Sequence, residues 1–173
     1  MIVYGGLFAA TGALCFFVTP IASDVKLPAL VWRGIGGPIA EEIVYRGLAI
    51  GSLIRIAGWR FLPAVLLQAL VFGLAHAAQG ETLIDSAAII AITGLGDLLF
   101  GWLFMRWNFN PWPAIIAHIG MITLWEIFAF GDTAIGDWFG NAARLALIAL
   151  LLVITYVLAS RPRTDNPLQA STL

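Results

Sequence analysis

The chain has 173 residues, of which 61% are hydrophobic and 11% charged, and its mean hydropathy is +0.94. Soluble domains are about 45–50% apolar, so a water-soluble fold of this size could not hide the excess. A net charge of −1 leaves neither a basic nucleic-acid footprint nor an acidic tail, and the partner that composition implies is the lipid bilayer.

Apolar stretches long enough to cross about 30 Å of hydrocarbon, roughly 17 to 25 residues each, recur along the whole chain. They are expected over residues 2–22, 28–56, 61–78, 84–107, 113–130 and 141–159. The first lacks the basic start of a secretory signal and carries Tyr4, Phe16 and Phe17, so it reads as a retained span. Cys15 within it is the only cysteine, which excludes a disulfide framework and a thiolate metal cluster. The second stretch is too long for one straight span and holds Gly34, Gly36, Gly37 and Pro38 near its middle. A break is expected there, with Pro38 opening a new helix.

The expected fold is an all-α, polytopic transmembrane helix bundle of about six spans with a broken second span. It forms a single domain over residues 1–160, followed by a disordered tail over 161–173 that lacks periodicity. Arg55 and Arg60, Arg106, and Arg161 with Arg163 fall on one side of such a bundle, and Glu81, Asp85, Asp132 and Asp137 on the other. That places both termini inside, although Lys26, Arg33 and Arg144 run against the pattern. The expected location is the membrane, multi-pass, and the plasma (inner) membrane in a prokaryote.

An ionisable side chain within a span costs about 2.5 to 3.5 kcal/mol on insertion scales, so each is a functional candidate. The densest group lies in Pro38-Ile39-Ala40-Glu41-Glu42-Ile43-Val44-Tyr45-Arg46-Gly47. Glu42 and Arg46 are four apart and can share a helix face, while Glu41 lies about 100° around the axis and can point into a cavity. In the first turn of a helix starting at Pro38, the dipole favours an anion, which is the form a general base needs. The two histidines of the chain, His76 and His118, both fall in spans. Phe72 stands one turn before His76 on the same face. A paired-carboxylate helix with two intramembrane histidines supplies parts for a base, a proton donor and an oxyanion stabiliser.

Glu41-Glu42-x-x-x-Arg46, then Phe72-x-x-x-His76, then His118 together resemble the three ordered motifs of the CPBP intramembrane proteases. That family, CAAX-protease and bacteriocin-processing, is similar to the Ras-converting CAAX endopeptidase. The resemblance covers a protease-like core of about residues 37–126. It implies that Glu41 activates a water for attack on a peptide carbonyl, that His76 and His118 bind the water or the oxyanion, and that Glu42, Arg46 and Phe72 support them. The substrate would be a membrane-associated peptide or protein tail. The third motif departs from the family, which usually has a polar residue four positions after the histidine, where this chain has Ile122. Thr123 is adjacent, Glu126 lies on the His118 face about 12 Å along the axis, and Asp97 on the preceding helix could supply the missing polar contact.

Gly94-Leu95-Gly96-Asp97 matches the GxGD string of aspartyl intramembrane proteases, but that mechanism needs a second aspartate to share a proton. The other aspartates fall in loops or near span ends, so the string reads as coincidence. No cofactor is favoured. Zinc is an open alternative, with Glu41, His76 and His118 as its ligands, although no His-Glu-x-x-His is present. Two further readings compete with the protease: a non-catalytic membrane immunity or scaffold protein, motivated by Ile122, and a proton-coupled transporter, since Glu, Asp and His in spans also make proton relays.

Overall fold

The computed structural model describes residues 1–131 and 135–159. The expectations for Asp132, Arg161, Arg163 and the tail over 161–173 lie outside the described residues. All six apolar stretches are helical, and the chain is an all-α membrane bundle. Its helices are α1 (Ile2–Val18), α2 (Leu27–Ala29), α3 (Gly37–Glu42), α4 (Gly51–Arg55), α5 (Phe61–Ala75), α6 (Leu83–Arg106), α7 (Trp112–Ile127) and α8 (Trp138–Leu158). Among the described residues, three helical segments are long and apolar enough to cross a membrane: Phe61–Gln79, which is α5 with the 3₁₀ turn Ala77–Gln79, then α6 and α8. Helices α1 and α7, at 17 and 16 residues, are apolar but shorter.

The expected break in the second stretch is a change of helical winding. A π-helical segment, Leu30–Gly36, precedes α3, and another, Ile43–Ile50, follows it. Pro38 is the cause on the first side. It has no N–H to give, and in an α-helix its ring collides with the carbonyl four residues back. That carbonyl belongs to Gly34, which takes a long hydrogen bond of 3.4 Å from the Thr123 hydroxyl. The wider π turn accommodates the proline without ending the helix.

The described residues form two compact units. The first comprises Met1–Glu42 and Trp112–Val157. Within it α1 packs on α7, and α7 on α3 and the Leu30–Gly36 segment. Gly120 makes the α1 contact feasible, because a Cβ there would fall inside the Phe8 ring. The buried Tyr4 and Thr155 hydroxyls are hydrogen-bonded, tying α1 to α8. Helix α8 starts at Trp138 because Asp137 caps it, its Oδ1 accepting from the Gly140 N–H at 2.7 Å.

The second unit is built on Ile43–Pro111. Helices α5 and α6 run antiparallel, with Gly73 against Ile90, Gly94 against Ala69 and Gly101 against Val65. Small residues at such crossings let backbones approach closely, which matters in lipid because apolar burial drives little association there. Ile50, Val65 and Phe104 form the buried apolar centre of this unit. Thr82 caps α6, accepting from the Asp85 N–H at 3.1 Å and donating its hydroxyl to Asp85 Oδ2 at 2.7 Å. Beyond α6, Asn108 and Phe109 adopt left-handed conformations, with φ of 58° and 60°, and Phe109 is held by Arg55, whose guanidinium lies 3.9 Å from its ring centre.

Candidate active site

In the first unit the structure brings Glu41, Glu42 and His118 together. Helix α3 presents the two carboxylates, and α7, which packs on it, presents the imidazole. Glu42 is wholly buried and His118 nearly so. His118 Nδ1 lies 2.8 Å from Glu42 Oε1, a charge-assisted hydrogen bond in which the imidazole donates. This bond occupies Nδ1 and leaves Nε2 as the working nitrogen. Nε2 is 3.8 Å from Glu41 Oε2, and the Glu41 side chain is 35% exposed. The three groups therefore have distinct situations: a buried carboxylate orients the ring, and an accessible carboxylate faces the ring's other nitrogen.

Two further candidates on α7 have partners of their own. Glu126 Oε2 is 2.9 Å from Arg33 Nη2, an ion pair whose members are 23% and 63% exposed. Thr123 bonds the Gly34 carbonyl. Both join α7 to the Leu30–Gly36 segment, and Ile122, which precedes Thr123, is half-buried.

In the second unit the structure brings Arg46, Phe72, His76 and Asp97 together. Arg46 Nη2 is 2.8 Å from Asp97 Oδ1, with both side chains fully buried. The guanidinium carbon lies 5.9 Å from the Phe72 ring centre and 5.5 Å from that of Phe100. Phe72 packs on the His76 imidazole at 4.4 Å and meets Tyr45 edge-on at 5.1 Å. His76 ends α5, and its Nδ1 donates to the Phe72 carbonyl at 2.8 Å. Among the described residues, no three His, Cys, Asp or Glu side chains are grouped so that they could hold a metal ion.

Two contacts lie beyond what sequence spacing indicates. Glu42 reaches His118 through a bond that spans 76 positions. Asp97, a candidate for the polar contact missing at Ile122, lies against Arg46. A signal for the second pairing was available: a lone carboxylate in the middle of an apolar span calls for a cation, and Arg46 is a basic residue within a span.

The model of the type II CAAX prenyl endopeptidase Rce1-like family matches residues 23–124, a range that contains both groups of residues. The chain is also 31% identical over 94 residues to the Bacillus subtilis (strain 168) protein named "Putative membrane peptidase YdiL". The match covers 54% of this chain and 34% of that relative, so the chain spans about a third of the relative's length. No solved structure matches the chain.

Proposed function

Since the chain belongs to the Rce1-like family of type II CAAX prenyl endopeptidases, we propose that it is a glutamate-dependent intramembrane endopeptidase acting on a membrane-associated peptide or protein tail. The observation that carries this reading is the disposition of Glu42, His118 and Glu41. Glu42 holds His118 by Nδ1, and Nε2 stands 3.8 Å from the accessible Glu41 carboxylate. A water touching both at about 2.8 Å would subtend an angle of about 85°, compatible with hydrogen bonding to each.

In the proposed reaction Glu41 takes a proton from that water as its oxygen attacks the scissile carbonyl carbon. The carbonyl π bond breaks and its electron pair becomes an oxyanion. With both nitrogens protonated, His118 donates from Nε2 to that oxyanion, and Glu42 balances the imidazolium charge. The proton held by Glu41 then passes to the departing amine as the C–N bond breaks and the oxyanion's electron pair re-forms the carbonyl, which leaves a carboxylic acid and a free amine; the acid then gives its proton to the amine or to solvent. His76 is assigned as a second oxyanion or proton-transfer partner on the order of the motifs, with Arg46 and Phe72 supporting it. The mechanism uses no metal. A zinc ion on Glu41, His76 and His118 is the alternative that chelation distinguishes.

Multi-pass insertion with both termini inside, in the inner membrane of a prokaryote, fits the distribution of Arg55, Arg60 and Arg106. The testing experiment uses the full chain in liposomes and a fluorogenic peptide ending in a prenylated CAAX tail, with an unprenylated copy and an apolar sorting-tail peptide beside it. Cleavage of any of them, lost in Glu41→Gln, supports the protease. Undiminished cleavage in Glu41→Gln overturns Glu41 as the base. Absence of cleavage of every probe, with membrane protection or complex formation that survives Glu41→Gln, supports the non-catalytic alternative that Ile122 motivates.

A further inference from the structure

We propose that Asp97 is a positioning residue for His76, acting through Arg46 and Phe72. The inference rests on the reading of His76 given above, and every contact it uses lies in the second unit. Asp97 holds the Arg46 guanidinium at two points. Its Oδ1 lies 2.8 Å from Nη2, and its backbone carbonyl accepts from the same Nη2 at 3.1 Å. The guanidinium so fixed lies against Phe72 and Phe100. Phe72, braced edge-on by Tyr45, packs against the His76 ring in a tilted arrangement.

His76 completes the chain. As the residue that ends α5, it sends its own backbone N–H to the Gly73 carbonyl at 3.1 Å. The Phe72 carbonyl is thereby left for Nδ1, which reaches it at 2.8 Å. This bond leaves Nε2 for chemistry, and the Phe72 ring, 4.4 Å away and tilted by 39°, restrains the imidazole from one side. Phe72 thus acts twice on one histidine, by its carbonyl and by its ring. Asp97 sits at the far end of the series.

A structural role alone is a poor account of this pair. Replacing a buried ion pair by apolar side chains of similar volume is often neutral or stabilising, whereas removing one partner is strongly destabilising. A buried ion pair is therefore weak evidence for a purely stabilising role. What the two charges supply is a guanidinium held in one place, and the side chain resting against it packs against His76.

The test is the ring ¹⁵N spectrum of His76 in the full chain, labelled at histidine and held in lipid nanodiscs. The chain has two histidines, so His118→Gln assigns the signals. Asp97→Asn is compared with Asp97→Glu, and with the double variant Asp97→Leu/Arg46→Met, which keeps the fold if the single variant does not. We expect the ordered Nδ1–H signal of His76 to be lost in Asp97→Asn and in the double variant, and to be kept in Asp97→Glu. On a cleaved probe, kcat should fall about 10-fold or more in Asp97→Asn with KM unchanged, the pattern of an interaction made only in the transition state. A folded double variant with the wild-type His76 spectrum overturns the inference. Full cleavage by His76→Ala instead overturns the reading of His76 on which it rests, and the spectrum separates the two failures.

Discussion

His118 is bound through Nδ1 to Glu42, 2.8 Å away, so the buried carboxylate of the pair on α3 acts on the imidazole and leaves the accessible one to face Nε2. Adjacent carboxylates with different surroundings are a recurring way to divide two tasks between identical groups. The division makes the two glutamates separable by mutation.

Glu42→Gln should leave substrate binding intact and lower kcat by about 100-fold or more, because the ring loses both its orientation and the charge that balances an imidazolium. Steady-state kinetics on a cleaved probe measure this. A KM effect without a kcat effect would place Glu42 outside the reaction.

Stringent chelation should leave cleavage unchanged, and added zinc should not raise it. Activity and metal content measured on the same dialysed sample check this. Activity that disappears with the metal and returns with zinc would make Glu41, His76 and His118 ligands and remove Glu41 as the base.

Glu126→Gln should keep activity within about two-fold, since its partner is Arg33 and half-exposed ion pairs contribute about 0–1 kcal/mol to stability. Arg33→Gln should behave alike, and the double variant should be no worse than either. A large loss of kcat in Glu126→Gln alone would make Glu126 a supporting residue of the site.

Gly120→Ala should destabilise the chain by about 1–3 kcal/mol, because the added methyl falls inside the Phe8 ring and overpacks the α1–α7 contact. Denaturation midpoints in detergent measure it. Combining the change with Phe8→Ala should recover part of the loss, and a midpoint unaffected by Gly120→Ala would contradict the packing described.

Helical class and the order of elements were legible because apolar runs of span length leave few other structures in lipid. Glu41, Glu42, His76 and His118 were legible as candidates because charged and polar groups are rare in such runs. Their partners were not. The bonds of Glu42 to His118 and of Arg46 to Asp97 join positions 76 and 51 apart, which no local periodicity encodes. Helix starts shifted for similarly specific reasons: α8 begins at Trp138, three residues ahead of the expected 141, through the Asp137 cap.

The π winding over Leu30–Gly36 also bears on how this chain tolerates changes of length. An α-helix rotates about 100° and advances about 1.5 Å per residue. Deleting one residue there, Ile35 for instance, would restore α winding with hardly any change in reach across the bilayer. Because the wide turns absorb the extra residue, the lost step and the tighter winding would largely cancel, and the face carrying Glu41 and Glu42 would turn by only about 30°. The helix can thus gain or lose one residue at this place and still present its carboxylates toward His118.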